Sequence, residues 1–360
     1  MKVDALAFDT PLADVAAVAR AAEEAGDDGW FTAETAGDPF ITVALAAGAT
    51  ERLQVGTGIA VAFARSPMDV AYSANDLQLL AGGRFVLGLG SQVKPHITRR
   101  FSMPWSRPAA RMREYILAMR ATWTAWQDGT PLDFRGDFYD HTLMTPFFSP
   151  GPNPHGPPPV LLAAVGPRMT AVAGEVCDGV LAHAFTTERY LREVTLPALA
   201  EGAARADRAV DDLDVAVGLF LASGYDEDEQ ASSEAFVRGQ IAFYASTPAY
   251  RAVLERHGWG ELGDELTRRS RAGEWDRMPE LVDDEMLHTF AVVGPPEELA
   301  DLTLARYGDV VDRVSLYTSF RFRGDDGSRF RTALASQDGS GGRPPVGRPD
   351  GHPVRDRYGG

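Results

Sequence analysis

The chain has a single cysteine, Cys177, among its 360 residues. One cysteine cannot form an internal disulfide, and no cluster of cysteine and histidine has the spacing of a zinc site. No apolar run reaches the roughly 18 residues of a membrane-spanning helix, and the N-terminus lacks the basic and apolar regions of a secretory signal. We therefore expect a cytoplasmic protein without a membrane partner or a metal site.

Positive charge is also scarce. Lys plus Arg number 35 against 51 Asp plus Glu, which gives a net charge of −16 spread along the chain. Such a surface repels polyphosphate backbones, so we expect no nucleic-acid partner. The sequence also lacks a G-x-S-x-G elbow, a cluster of two His plus a carboxylate, and a P-loop. Hydrolysis by these common routes is therefore unsupported.

The first third of the chain repeats one pattern three times. Apolar runs at residues 3–8, 29–32 and 53–61 each lead into a capping residue followed by proline. These pairs are Thr10-Pro11, Asp38-Pro39 and Ser66-Pro67. Proline suits the first helical position, and the preceding side chain can cap free N–H groups. Strands and helices alternating in this way predict parallel βαβ units.

Five further strands are predicted at residues 84–90, 160–165, 179–183, 213–221 and 313–318. Eight strands interleaved with helices favour a closed (β/α)₈ TIM barrel of the α/β class over a doubly wound sheet. Residues from about 225 to 290 do not follow the repeat and predict a helical insertion before the last strand. We expect one domain over residues 1–334 and a disordered Gly/Pro-rich tail over residues 335–360.

The working face of such a barrel is the carboxyl end of its strands. The most informative feature there is the turn around Gly166 and Pro167, where a strand of small residues ends and a helix begins. Free N–H groups and the helix dipole suit a phosphate, and Arg168 or Thr170 could add a donor. A tight turn without a ligand is the alternative. The glycines at 56–58 and 88–90 leave the same choice between packing and a cofactor.

Several short motifs, taken in order, resemble the luciferase-like superfamily of flavin and deazaflavin oxidoreductases. They are GWFTAE (29–34), VGTGI (55–59), FVLGLGS (85–91), R-x-x-E (111–114), AVGP (164–167), and VGP leading into EEL (293–299). The resemblance spans residues from about 3 to 320. It is closest to the branch that uses coenzyme F420, a deazaflavin, rather than FMN.

The resemblance implies a cofactor site on the barrel rim. It implies a cis peptide between Gly58 and Ile59 behind the deazaflavin ring. It also implies that Glu34 faces the ring as a proton donor or cofactor anchor. The remaining implied cofactor-binding residues follow the fourth and fifth strands and are Ser91, Val165, Gly166, Pro167, Arg168 and Met169.

The resemblance does not identify the substrate. Relatives that oxidise sugar phosphates carry a catalytic Glu at a place that falls near Val93 here. Lys94 and His96 follow it and could bind an anionic substrate or donate a proton. Of the two, we expect Lys94 to bind substrate and His96 to act as a catalytic proton donor. Trp105 is expected to cover the substrate as part of a lid, and the alternative is that it fills the barrel's mouth.

Two interactions near the rim are predicted from the residues. Arg111 and Glu114, one helical turn apart, are expected to pair and shape the rim. His183 is expected to make a structural hydrogen bond.

The resemblance therefore implies an F420-dependent oxidoreductase that transfers a hydride between the deazaflavin and a small organic substrate. One alternative is an FMN-dependent monooxygenase that receives reduced flavin from a separate reductase. A second is a non-catalytic protein that stores flavin. Superfamily members often pair through their second and third helices, so we expect a homodimer by analogy.

Overall fold

The computed structural model describes residues 1–336, and its centre is a closed ring of eight parallel strands. Chain order is preserved around the ring, which closes through pairing of the last strand with the first. The ring strands are β1 (Lys2–Leu6), β2 (Gly29–Thr32), β3 (Gln54–Thr57), β5 (Phe85–Gly90), β8 (Val160–Ala164), β9 (Gly179–Ala182), β10 (Asp214–Ala222) and β12 (Arg313–Tyr317). The predicted TIM barrel is confirmed. Residues 337–360, most of the predicted tail, lie outside the described residues.

Four further strands are short and are not part of the ring. β4 (Ala60–Val61) pairs with the end of β5, and β11 (Ala291–Val293) pairs with the last residues of β10. β6 (Phe134–Arg135) and β7 (Asp140–His141) form an antiparallel hairpin away from the barrel sheet.

Helices surround the ring, and a group of them forms the insertion between β10 and β12. The helices that follow the strands in order are α1 (Val15–Ala25), α2 (Pro39–Ala49), α3 (Pro67–Leu80), α4 (Pro108–Asp128), α5 (Pro167–Val176), α6 (Glu188–Tyr190) and α7 (Leu196–Arg205). The inserted helices are α8 (Glu227–Ala245), α9 (Arg251–Glu255), α10 (Gly260–Ala272) and α11 (Asp284–Phe290), and α12 (Leu299–Tyr307) and α13 (Asp326–Ala335) complete the set. Among these helices of residues 1–336, none combines the length and hydropathy that crossing a lipid bilayer requires.

Two of the three predicted proline-opened helices begin as expected. Asp38 accepts a hydrogen bond from the Phe40 amide at α2, and Ser66 accepts one from the Asp69 amide at α3. The first helix does not begin at Pro11. The chain leaves β1 with Asp9 at a φ of 54°, residues 11–14 form a turn, and α1 begins only at Val15.

The barrel interior is filled in layers below its open end. At the amino end of the strands, Arg313 donates two hydrogen bonds of 2.7 Å to the carboxylate of Asp4, and both side chains are buried. Burial raises the pKa of Asp4, although Arg313 opposes the shift. Above this pair lies an apolar layer of Phe31, Val86 and Leu161. This layer forms the floor of the barrel mouth.

Candidate active site

The mouth of the barrel has two unlike sides. Side chains alternate along a strand, so the residue two places after each floor residue shares its inward face. After Phe31 and Leu161 these residues are Ala33 and Ala163, which are small and half-buried. On the far side, around β9, β10, β12 and the end of β1, the inward residues are His183, Phe220, Tyr317 and Phe8. One side is therefore cleared of large side chains, and the other is aromatic.

The strand glycines divide between packing and open space. A Cβ at Gly56 would lie 2.5 Å from Phe31, and one at Gly88 would overlap the Thr57 carbonyl oxygen, so both are glycine for packing. Gly58 differs, because its nearest neighbour would be Phe31 Cβ at 3.4 Å. The peptide bond between Gly58 and Ile59 is cis, as the resemblance implied. Both of these residues are half-buried on the small-residue side of the mouth.

Glu34 fixes the residues that follow this cis peptide. Its Oε2 accepts a hydrogen bond of 2.7 Å from the Val61 amide and one of 2.6 Å from Arg65 Nη1. The Glu34 amide in turn donates to the Ile59 carbonyl at 3.0 Å. Burial disfavours the charge on Arg65, but its bonds to Glu34 and Asp38 raise its pKa. Glu34 is thus an ion-paired anchor, and this arrangement suits positioning better than proton donation.

The turn that opens α5 presents free donors to the rim. Gly166 caps the helix, and no atom lies within 4 Å of the place its Cβ would occupy. The amides of Met169 and Thr170 both point to the Gly166 carbonyl, whereas the Arg168 amide and guanidinium have no partner in residues 1–336. Thr170 Oγ1 also bonds this carbonyl, so of the two expected side-chain donors only Arg168 is free. The space and the donors fit a phosphate group.

The loop after β5 reaches over the rim. Ser91 is half-buried and bonds the Gln92 carbonyl at 3.1 Å. Lys94 and His96 are exposed, and neither side chain has a partner within the described part of the chain. Trp105 is half-buried, with its ring 5.8 Å from that of Phe63 in an edge-on contact. Lys94 and His96 therefore extend into solvent, whereas Ser91 and Trp105 pack partly against the chain.

Arg111 and Glu114 do not pair with each other, contrary to expectation. Arg111 bonds the Tyr139 hydroxyl and the Pro104 carbonyl, and its guanidinium lies 4.6 Å from the Phe63 ring centre. Glu114 instead accepts hydrogen bonds from three amides of the β6–β7 hairpin, those of Asp137, Phe138 and Tyr139. Glu114 turns toward the 134–141 hairpin because three amides there donate to it at once, and Arg111 shares Tyr139 with it. Sequence spacing does not reveal these partners.

His183 makes the predicted structural hydrogen bond and has unpredicted neighbours. Its Nδ1 accepts a bond of 2.9 Å from the Phe185 amide. Its ring lies between Tyr244 and Tyr250 of the insertion, with centre-to-centre distances of 4.4 and 4.8 Å. Burial lowers the pKa of His183 to about 4, so the ring is neutral near pH 7. The sequence carried no signal for these tyrosines, which lie over 60 residues further along.

Comparison with known proteins identifies the family. The model of the luciferase-like monooxygenase family matches residues 3–313. An uncharacterized protein of Mycobacterium tuberculosis is 54% identical over 303 residues, which are 84% of this chain and 89% of that protein. A second protein of the same organism, whose name assigns it to the coenzyme F420-dependent oxidoreductases, is 30% identical over 76% of this chain and 82% of its own.

Solved structures share the fold. The coenzyme F420-dependent tetrahydromethanopterin reductase of Methanopyrus kandleri is similar with a TM-score of 0.73 and 22% identity, over 92% of this chain and 97% of that one. The FMN-bound oxygenating component of 3,6-diketocamphane monooxygenase from Pseudomonas putida has a TM-score of 0.62 and 17% identity, over 94% and 98% of the two chains. By the extent of the family match and the 30% relative, this chain belongs to the luciferase-like monooxygenase family of oxidoreductases.

Proposed function

We propose that the protein is a coenzyme F420-dependent oxidoreductase acting on a small organic substrate. The observation that carries the proposal is the cleared side of the mouth, where Ala33, Gly58 and Ala163 leave space beside the cis peptide. A flat ring system needs such a space. The turn at Gly166 follows β8, which is separated from β3 and its cis peptide by a single strand, β5. When bound, the deazaflavin supplies the hydride chemistry.

The protein's own residues would bind and orient this group. Gly58 and Ile59 back the ring, and Ser91 offers a hydroxyl beside it. The turn of Val165, Gly166, Pro167, Arg168 and Met169 holds the phosphate through amides, the helix dipole and the Arg168 guanidinium. Glu34 acts one step away, by fixing the chain after the cis peptide through Val61 and Arg65. The floor of Phe31, Val86 and Leu161 keeps water from the underside of the ring.

The exposed loop after β5 would meet the substrate. His96 is our candidate for exchanging a proton with the substrate, and Lys94 and Trp105 for contacting it. An imidazole has one nitrogen that donates a hydrogen bond and one that accepts, so an exposed histidine suits proton exchange with a bound molecule. Removal of His96 is expected to lower turnover without changing cofactor affinity, because it lies outside the phosphate turn.

Two alternatives share the same site. An FMN-dependent monooxygenase is supported by the fold similarity alone, because the FMN-bound neighbour is 17% identical. A non-catalytic flavin store would need the same cofactor contacts but no substrate residues. The 30% identical relative with an F420-dependent name supports F420 over FMN.

A side-by-side titration separates these functions. The purified protein is titrated with F420 and with FMN, and cofactor fluorescence is followed. We expect F420 to bind at micromolar or lower concentration and FMN much more weakly. Preference for FMN, with oxygen-dependent product formation, would instead establish the monooxygenase. Tight F420 binding with unchanged turnover in His96→Ala would remove His96 from the catalytic assignment, and unchanged F420 affinity and turnover in Glu34→Gln would contradict the positioning role of Glu34.

We also propose a homodimer and a separate reductase that renews the reduced cofactor. Exposed apolar side chains occur on α2 at Ile41 and Leu45 and near the end of α3 at Leu79 and Leu80. Such side chains support pairing through these helices. Light scattering after size exclusion tests the homodimer, and a monomer at micromolar concentration would contradict it.

A further inference from the structure

The aromatic side of the mouth contains a cluster of four polar rings. His183 lies 4.4 Å from Tyr244 and 4.8 Å from Tyr250 between ring centres. Phe220 connects this group to Tyr317, with centres 6.3 Å from Tyr244 and 5.9 Å from Tyr317. His183 directly follows β9, Tyr244 lies in α8, Tyr250 lies just before α9 and Tyr317 ends β12, so the insertion completes the group. We call His183, Tyr244, Tyr250 and Tyr317 the aromatic recess.

The hydrogen bond to His183 fixes where its proton lies. Nδ1 accepts from the Phe185 amide at 2.9 Å and therefore carries no hydrogen. In the neutral ring the hydrogen must then be on Nε2. No acceptor for this N–H is present among residues 1–336, so His183 presents an unused donor.

The tyrosine hydroxyls of the recess are also unused. None of the three, on Tyr244, Tyr250 and Tyr317, bonds another group of the described chain. These hydroxyl oxygens are also not fully buried. The fully buried side-chain atoms without partners belong to other residues, which are Trp30, His141, Thr186 and Arg251. All four rings of the recess are half-buried by accessible area. Polar atoms that are enclosed but still accessible are typical of a binding site.

The recess also lacks charge. Burial alone shifts the pKa values of His183 and Tyr244, and for Tyr250 and Tyr317 burial is joined only by the neighbouring tyrosines. No lysine, arginine or carboxylate contributes to any of these shifts. An ionised ligand would therefore lose its hydration here without gaining a partner of opposite charge.

We propose that the aromatic recess binds the carbonyl or hydroxyl oxygen of an uncharged, largely apolar substrate, with the Nε2–H of His183 as its hydrogen-bond donor. The recess faces the cleared side of the mouth across the barrel, so a molecule held there would lie beside the proposed cofactor. The proposal rests on the proposed function only for that second reactant. The recess would recognise the oxygen of the substrate, while the loop of Lys94 and His96 would contact the substrate from the other side of the mouth.

Three small molecules of similar shape test the proposal in the absence of cofactor. Acetophenone carries a carbonyl, ethylbenzene has no oxygen, and benzoate is charged. Imidazole ¹⁵N spectra of the labelled protein, in which the His183 signals are identified by their loss in His183→Phe, report tautomer and binding. We expect the Nε2–H tautomer, a shift of this signal with acetophenone, and roughly three- to tenfold weaker binding of ethylbenzene. Benzoate is expected to bind more weakly than either.

Two substitutions of His183 separate the donor from the ring. His183→Phe keeps the aromatic packing and removes the donor, whereas His183→Gln keeps an N–H of similar reach. We expect acetophenone affinity to fall roughly three- to tenfold in His183→Phe and to recover in His183→Gln, with circular dichroism and Tm as folding checks. An Nδ1–H tautomer, equal binding of benzoate, no acetophenone binding at millimolar concentration, or equal affinity in both variants would overturn the proposal. The His183 experiments contain no cofactor. If the separate titration showed that F420 does not bind, that result would overturn only the proposed function.

Discussion

Glu34 and Arg65 form a buried ion pair of 2.6 Å that connects the end of β2 to the chain after the cis peptide. Their side chains are only 5% and 17% exposed, so solvent screens the pair weakly. This bond places the Gly58–Ile59 segment relative to the mouth. The residue expected from sequence to face the cofactor therefore acts first on the protein itself.

Glu34→Gln is expected to destabilise the protein and weaken cofactor binding together. The substitution leaves a partly buried arginine with only Asp38 as a charged partner, and breaking buried pairs costs about 3 kcal/mol. Urea unfolding measures the loss. Asp38→Asn is the control, because Asp38 is 40% exposed and asparagine can keep its cap of α2, so its cost should stay below about 1 kcal/mol. Equal stability of the two variants would contradict the anchoring role.

Gly166→Ala is expected to weaken F420 binding while leaving the free energy of unfolding unchanged. The new methyl group meets no protein atom within 4 Å, and the backbone there, at φ −91° and ψ 157°, suits alanine. It would occupy the space that a phosphate needs. Isothermal titration with F420 and urea unfolding measure the two effects. Gly48→Ala, also in open space but on α2, is the control for affinity.

Gly88→Ala should have the opposite outcome, since the methyl group would overlap the Thr57 carbonyl oxygen and lie 2.9 Å from Leu181. Overpacking of this kind costs about 1–3 kcal/mol or more. The measurement is again urea unfolding, now in the absence of cofactor. A Gly88→Ala protein as stable as Gly166→Ala would show that the barrel interior is looser than its packing implies.

Glu114→Gln is expected to loosen the β6–β7 hairpin. The carboxylate accepts from three amides, and an amide side chain can offer only one oxygen to them. Bonds to charged groups contribute about 1.5–3 kcal/mol, so a loss of this order is expected. Hydrogen exchange at Asp137, Phe138 and Tyr139 should accelerate. Glu175→Gln, which removes only an ion pair with a half-exposed arginine, should leave these amides unchanged.

His183 should make folding stability depend on acidic pH. Its pKa falls from about 6.5 in the unfolded chain to about 4 in the folded one, so between these values the unfolded state binds more protons. The free energy of unfolding therefore falls as pH drops through this window, by about 3 kcal/mol in all, and the contribution of His183 is fully present above pH 6.5. In His183→Phe this part of the dependence disappears.

The barrel could be predicted because its signals are local. The runs that became β2 and β5 and the Asp38-Pro39 and Ser66-Pro67 pairs each specify structure within a few residues. The failures involve distant partners. Thr10-Pro11 has the same local chemistry as the other two pairs, yet the turn of residues 11–14 delays α1. Arg111 and Glu114 have helical spacing, yet the hairpin some 25 residues later binds both.

In the candidate site, too, features within one short segment could be predicted from sequence, and contacts between distant residues could not. The cis peptide and the Gly166 turn lie in single short segments, so motif order was enough to locate them. The aromatic recess depends on Tyr244 and Tyr250 meeting His183, and nothing in the 3.6-residue periodicity of α8 says which of its faces meets the mouth. Sequence also could not show that Glu34 is ion-paired, because Arg65 lies 31 residues away.

Asp4 and Arg313, which bond across the seam between the first and last strands, stand 309 positions apart. In the order of synthesis, the Asp4 carboxylate precedes the guanidinium that pairs with it by 309 residues. Any sheet that formed before Arg313 was made would have two unpaired edges, each able to recruit a foreign strand. Closure of the ring removes both edges at once, and it can take place only after the last strand has been synthesised.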